Sequence, residues 1–313
     1  MRLPASNETM KRNSLPLRSA PPLESYLRER AREVDFALDR LLPRASVKPA
    51  TIHRAMRYSL FAGGKRMRPI LCLAAAEACA SSYRNALFPA CAVECVHTYS
   101  LIHDDLPCMD DDDLRRGRPT SHKVFGEAIA VLAGDALLTS GFEILASIQE
   151  PRRYRLKDFL SELAFAASSR RLIAGQVADL EAEGKKSSRR ELRFIHECKT
   201  AAMIVASLKL GAMAVNAAPT RVASLETFGH YLGLAFQVID DILDVTQTSE
   251  KLGKSAGKDV AAQKTTYPAL IGLESARREA RRLTVLANRA LEPFESKGAR
   301  LRQLADHLLA REY

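Results

Sequence analysis

Residues 87–113 read LFPACAVECVHTYSLIHDDLPCMDDDD. From Leu87 to Asp105 the apolar residues go nearly all the way round a helix, the pattern of a helix set deep in a core. The helix ends on Asp104 and Asp105. Pro107 then interrupts, and Asp110, Asp111, Asp112 and Asp113 follow. A helix C-terminus carries partial negative charge, so two carboxylates there are electrostatically disfavoured. A bound cation reverses that argument. The simpler reading, a solvated acidic loop, suits Asp111–Asp113 better than Asp104 and Asp105, which end a core helix.

A second acidic run, Asp240, Asp241 and Asp244, follows the almost wholly apolar stretch from Leu232 to Ile239. Asp240 and Asp244 are four apart and share one helix face. Carboxylates in such a setting are expensive unless paired or on a metal. Ligands that are carboxylates only, with no clustered His or Cys, point to Mg²⁺, with Mn²⁺ as the alternative. Magnesium usually takes one or two protein carboxylates and completes its shell with water and substrate phosphates. Two such clusters facing one another make a diphosphate clamp.

Helical periodicity runs outward from these stretches in both directions. It begins after Pro21-Pro22 and predicts helices over 51–61, 124–148, 156–172, 176–183, 189–215, 221–245 and 267–291, with a last one to Arg311. Another starts at Pro69, a favoured place for proline. Strict strand alternation, an internal repeat and a dividing linker are all missing. One all-α domain is the economical reading. Residues 1–22 read as a disordered, basic leader, with translation from Met10 or an organelle address as alternatives.

The 313-residue chain has no Trp, 6% aromatic residues and a formal net charge of +10. That charge suits nucleic acid, an anionic membrane or a small anionic substrate. Nucleic acid explains the charge and nothing else, because no recognition motif with interleaved aromatics is present. The longest apolar runs are broken by Asp135, Glu143 and Lys209, so no membrane span is expected. The six cysteines form no C-x-x-C pair. They read as reduced thiols of a cytoplasmic protein, and a zinc site is not expected.

Basic residues complete the electrostatics. Gly63-Gly64-Lys65-Arg66-Met67-Arg68-Pro69 sets cations on a glycine turn; alone it resembles many surface loops. Arg115 and Arg116 follow the first acidic cluster, Lys199-Thr200 lies mid-helix, and Lys254 sits in the glycine loop 253–258. His97 lies seven residues before Asp104, on nearly the same helix face. Together these groups can hold two diphosphates, one through metal and one through Arg, Lys and His97.

In motif and order, Gly63–Pro69, Glu94–Gly117, Gly175-Gln176, Lys199-Thr200 and Gln237–Asp244 resemble the short-chain trans-prenyltransferases. The first motif, with four residues between its Asp pair and the closing Asp, is similar to bacterial farnesyl diphosphate synthase and the related geranylgeranyl diphosphate synthases. The resemblance covers 23–313, read as a single trans-prenyltransferase domain. It implies an all-helical isoprenoid-synthase fold with a central cavity, usually a homodimer. It also implies about three Mg²⁺ ions held through carboxylates and substrate. By position, Asp104, Asp110 and Asp240 would bind metal, with Asp105, Asp241 and Asp244 in the same clusters. Lys65, Arg68, His97 and Arg116 would bind isopentenyl diphosphate. Arg115, Lys199 and Lys254 would contact the allylic diphosphate. Thr200 and Gln237 would line the place where the allylic cation forms.

Product length would follow cavity depth. Tyr99 lies five residues before Asp104, about 7.5 Å along the axis at helical rise, with Ser100 beside it. An aromatic there usually accompanies a C15 product in the family the motifs resemble, so farnesyl diphosphate is expected and the C20 geranylgeranyl diphosphate is the alternative. An ordinary core tyrosine is the plainer reading. Among rivals, a His-Asp phosphohydrolase leaves Asp240–Asp244 unexplained, and a terpene cyclase has no use for Lys65, Arg68 and Arg116. A non-catalytic partner subunit would usually have lost one aspartate motif, and both are present.

Overall fold

The computed structural model describes residues 22–246 and 265–310; Met10, Lys254 and the 253–258 loop lie outside the described residues. The fold is all-α. Helix α1 (Leu23–Leu41) turns its Tyr26, Val34, Ala37 and Leu38 stripe inward. After it come α2 (Ala50–Leu60) and α3 (Met67–Cys79), with Pro69 in the first turn of α3, where its missing N–H leaves no helical bond broken. Helix α4 (Leu87–Asp104) is buried along most of its length, as its apolar circumference demands. Its one buried carboxylate, Glu94, receives Arg66 Nη1 at 2.8 Å.

Between α4 and the next helices lies the only strand pair among the described residues, β1 (Leu114–Arg115) against β2 (Arg118–Pro119). Arg116 and Gly117 form its two-residue loop, and both have positive φ, 54° and 73°. That is the backbone sense that matches the twist of a tight hairpin. Helices α5 (Ser121–Phe125), α6 (Glu127–Ala146), α7 (Leu156–Ala167) and α8 (Leu172–Ala182) follow. Then come α9 (Arg189–Ile195), a π-helical turn (His196–Ala201), α10 (Ala202–Ala214) and α11 (Pro219–Thr246). The described chain closes with α12 (Tyr267–Ile271), α13 (Leu273–Ala290) and α14 (Ala299–Leu309).

Three helices expected to be continuous are broken. Gly126 (φ 83°) divides 124–148 and Gly272 (φ 81°) divides 267–291. Both lie in a region that only glycine enters without strain. The third, 189–215, keeps its direction but widens into the π turn at 196–201. Apolar periodicity is blind to all three, because a change in backbone geometry leaves the apolar spacing within each flanking helix unchanged.

Helix α4 packs chiefly along α6, and α10 lies against α3 and α11. The main core gathers α1–α4, α6, α7, α10 and α14, while a smaller one joins the C-terminal half of α11 to α12 and α13. Helix α6 is long and apolar enough to cross a membrane by length and composition, despite Asp135 and Glu143, and 44% of its apolar window is buried within the fold. Burial against α4 accounts for one side of its apolar composition.

Candidate active site

The end of α4 curls back on itself. The N–H of Asp110 donates to the carbonyl of Asp104 at 2.9 Å, and that of Asp112 to Asp105 at 3.2 Å. Asp111 takes a left-handed φ of 48° to close the loop. This brings Asp110 to the side of Asp104. Burial raises the Asp104 carboxyl to about 6, and Asp110 and Asp105 push the same way against Lys199 and Arg115. Asp105 is almost fully enclosed and receives Arg115 Nε at 2.6 Å. Arg115 also reaches Asp112 at 3.6 Å. The guanidinium expected to meet a diphosphate is thus held inside the acidic loop by two carboxylates.

Lys199 faces this loop from the π turn. Its Nζ lies 2.7 Å from Asp179 of α8. Burial opposes the charge, yet Asp179 and Asp104 hold the ammonium above the usual lysine range. Thr200, the next residue, points to the other neighbour and donates to Gln237 Oε1 of α11 at 2.9 Å. The Gln237 amide in turn donates to Asp241 Oδ1 at 3.3 Å. Asp241 Oδ2 accepts the backbone N–H of Tyr267 at 3.0 Å. Both of its oxygens are therefore engaged, unlike Asp244, whose buried Oδ2 has no hydrogen-bond partner among the described residues.

A cationic cluster lies between the start of α3, the middle of α4 and the β1–β2 hairpin. Arg68 Nη1 sits 3.1 Å from His97 Nε2. Arg116 Nη1 donates to the Gly63 carbonyl. Gly64 holds a φ of 129°, a backbone conformation that glycine alone adopts without strain, and it lies against the Arg116 guanidinium. Burial depresses the Arg68 pKa, with Glu94 and Asp240 opposing and Arg116 adding to it. Burial, Arg68 and Arg116 hold His97 far below the usual histidine range, as a neutral ring. The Nε of Arg68 is buried without a partner among the described residues. Lys65 lies exposed at the rim. Arg66, between these residues in sequence, serves the scaffold instead, bonding Asp35, Glu94 and the Leu60 carbonyl.

Tyr99 is 7% exposed and packs edge-on against His103, ring centroids 5.7 Å apart. His103 Nε2 meets the Val131 carbonyl of α6 at 3.0 Å, so this face of α4 looks toward α6. The Ser100 hydroxyl turns back to the His97 carbonyl of its own helix.

The fold thus gathers Asp104, Asp105, Asp110, Arg115 and Lys199, couples Thr200, Gln237 and Asp241, and collects Arg68, His97 and Arg116. Sequence reading passed over Asp179, although Gly175-Gln176 had been singled out three residues earlier, at a spacing that shares a helix face. His196 lies beside this network as well. That ring is 4% exposed, stacked on Tyr267 at 5.5 Å, with Nε2 3.8 Å from Asp241. Among the described residues, no group of three or more His, Cys, Asp or Glu side chains converges tightly enough to hold an ion alone.

Comparison with known proteins adds a family. The polyprenyl synthetase family matches residues 49–303. A chloroplastic geranylgeranyl pyrophosphate synthase of Capsicum annuum is 51% identical over 290 residues, covering 92% of this chain and 78% of its own. The large subunit 1 of a heterodimeric chloroplastic geranylgeranyl pyrophosphate synthase of Arabidopsis thaliana is 49% identical over 295 residues, covering 92% and 79%. Among solved structures, a Helicobacter pylori geranyltransferase complexed with magnesium and isoprenyl diphosphate aligns with a TM-score of 0.81 and 35% identity. That alignment covers 96% of this chain and 99% of the other.

Proposed function

The chain belongs to the polyprenyl synthetase family and is a short-chain prenyltransferase, and from that premise we propose that it builds geranylgeranyl diphosphate, adding isopentenyl diphosphate to allylic diphosphates until C20. The two geranylgeranyl pyrophosphate synthases at 51% and 49% identity support C20. One observation favours a second reading, farnesyl diphosphate at C15: the bulky, buried Tyr99 on the α4 face toward α6.

Arg68 carries the proposal of two diphosphate sites. A buried guanidinium nitrogen without a partner among the described residues, beside Arg116 and a neutral His97, is a site waiting for an anion. We assign Lys65, Arg68, His97 and Arg116 to isopentenyl diphosphate. Arg115, Lys199 and, outside the described residues, Lys254 are assigned to the allylic diphosphate. Asp104, Asp110 and Asp240 are the proposed magnesium ligands. Partly buried carboxylate oxygens that can only accept, together with the Asp244 Oδ2 left without a partner among the described residues, form a donor set that suits a hard cation. Asp105 and Asp241, already bonded, act in this reading as struts for Arg115 and Gln237.

The allylic C–O bond breaks with its electron pair leaving on the diphosphate. Lys199 and Arg115 stabilise that growing charge from fixed positions. Bound magnesium would supply the same service more strongly as a Lewis acid. Thr200 and Gln237 present oxygens to the cation left behind. The isopentenyl double bond, held by its own diphosphate, attacks that carbon and forms the new C–C bond. A proton then leaves the adjacent carbon for the departing diphosphate, restoring an alkene. Water has to be excluded, or the cation is captured as an alcohol.

A homodimer is proposed as well. Val124, Val131 and Leu132 around α6, and Ile173 and Val177 on α8, are exposed apolar side chains that a second copy could cover. The two plant relatives are chloroplastic. The basic leader fits an organelle address, and fractionation of cells expressing the tagged chain separates that from a cytoplasmic enzyme. The function itself is tested by a product assay. Purified protein with Mg²⁺ receives labelled isopentenyl diphosphate and dimethylallyl, geranyl or farnesyl diphosphate, and chain lengths are read by mass spectrometry. Elongation of farnesyl diphosphate to C20 supports the proposal. A stop at C15 transfers it to the second reading, and no elongation from any primer points to a partner subunit.

A further inference from the structure

The π turn His196–Ala201 is squeezed between two glycines on different helices. A Cβ at Gly175 of α8 would fall 2.7 Å from Lys199 Cα and 2.8 Å from its Cβ. One at Gly233 of α11 would fall 2.5 Å from both Cα and Cβ of Ala201. Most of what it would meet is backbone or the first side-chain atom, which no rotamer change can move aside. Both glycines lie inside helices, where alanine is better by roughly 0.5–1 kcal/mol. Their local cost is offset by something, and the nearest atoms that a Cβ at either would meet belong to the π turn. An i→i+5 turn holds one more residue than the α-helix it interrupts and so bulges sideways. Its bulge carries Lys199, which bonds α8 through Asp179, and Thr200, which bonds α11 through Gln237. Two consecutive residues are thereby fixed to two different helices.

We propose that Gly175 and Gly233 are positioning residues of the transfer reaction: their missing side chains admit the π turn between α8 and α11, and this aims Lys199 and Thr200 into one site. The proposal rests on Lys199 and Thr200 being the allylic contacts assigned above. Displacing either by about 1 Å is enough to cost up to a hundredfold in rate. The isopentenyl cluster on α3, α4 and the hairpin shares no backbone with the turn, so its affinity is independent.

The test compares Gly175→Ala and Gly233→Ala with Lys199→Ala and with Gly211→Ala. Gly211 is a control of the same kind, since a Cβ there would lie 2.8 Å from the Cys72 carbonyl carbon, far along α10 from the assigned contacts. Folding is followed by circular dichroism and thermal melting, and kcat and both KM values are measured per folded enzyme. The expected result is a fall in kcat of about ten- to a hundredfold for the 175 and 233 variants, with the allylic KM raised and the isopentenyl KM unchanged. Gly211→Ala should melt earlier yet keep wild-type kinetics. If Gly175→Ala and Gly233→Ala behave like Gly211→Ala while Lys199→Ala is crippled, the positioning proposal is wrong and the site assignment survives. A neutral Lys199→Ala overturns both. Should Gly175→Ala not fold, Gly233→Ala decides; should neither fold, the turn is a folding element and the proposal is overturned.

Discussion

Arg68 is the side chain at which stability and function pull apart. Its buried Nε has no partner among the described residues, and burial opposes the charge more than Glu94 and Asp240 support it, so a guanidinium here costs stability. Arg68→Met should therefore raise the melting temperature of the ligand-free protein. The same change should raise the isopentenyl diphosphate KM by about tenfold or more, roughly 1.4 kcal/mol of binding per decade, with the allylic KM little changed. Calorimetry and two-substrate kinetics on one preparation check both halves. Asp104 makes the pH prediction. Its carboxyl rises from 3.8 to about 6 on folding. The folded state thus holds the proton more tightly than the unfolded one. This stability, roughly 3 kcal/mol for a shift of about two units, is present below about pH 4 and lost as pH rises through about 6. Cation binding needs the ionised carboxylate and must run the other way. Added Mg²⁺ should raise the melting temperature at about pH 7.5 far more than at about pH 5. Equal shifts at both would remove Asp104 from the proposed ligand set.

At the scale of elements, Arg66 ties three helices together from a left-handed backbone position just before α3, φ 49°. It bonds Asp35 of α1, the last carbonyl of α2 and the buried Glu94 of α4. Removing it strands Glu94 at 2% exposure. Arg66→Met should cost about 3–5 kcal/mol in denaturant unfolding, and adding Glu94→Gln should recover part of that loss. Without recovery, the cost lies in packing rather than charge. The glycine turn 63–64 on one side of Arg66 and the hairpin loop at 116–117 on the other close over each other. Two short motifs far apart in sequence thereby become one cationic cluster. The helices themselves were readable from period and punctuation: Pro69 opens α3, Pro107 stops the chain after α4, and Leu87–Asp104 is buried nearly as its composition predicts. The breaks at Gly126 and Gly272 were not, because a single positive-φ residue leaves the apolar period on both sides intact.

For the whole molecule, the proposed activity makes product length a matter of how the helices enclose the growing chain. Tyr99→Ala should lengthen the product by at least one C5 unit, read by mass spectrometry. An unchanged length places the floor on another helix. The sequence by itself determined the helical class, the two acidic motifs and the cationic residues. All of these are local patterns, and their burial or charge cost has meaning residue by residue. Tertiary structure decided which members of those patterns are free to act. Asp105 is clasped by Arg115, and Asp241 is held by Gln237 and the Tyr267 backbone, whereas Asp244 keeps an oxygen without a partner among the described residues. Asp179 joins Lys199 from a helix in which nothing about its own surroundings marks it out. The π turn that faces Lys199 and Thr200 toward two helices has no sequence signature of its own. It exists because two distant glycines leave space for it, and space between helices is a property of packing alone.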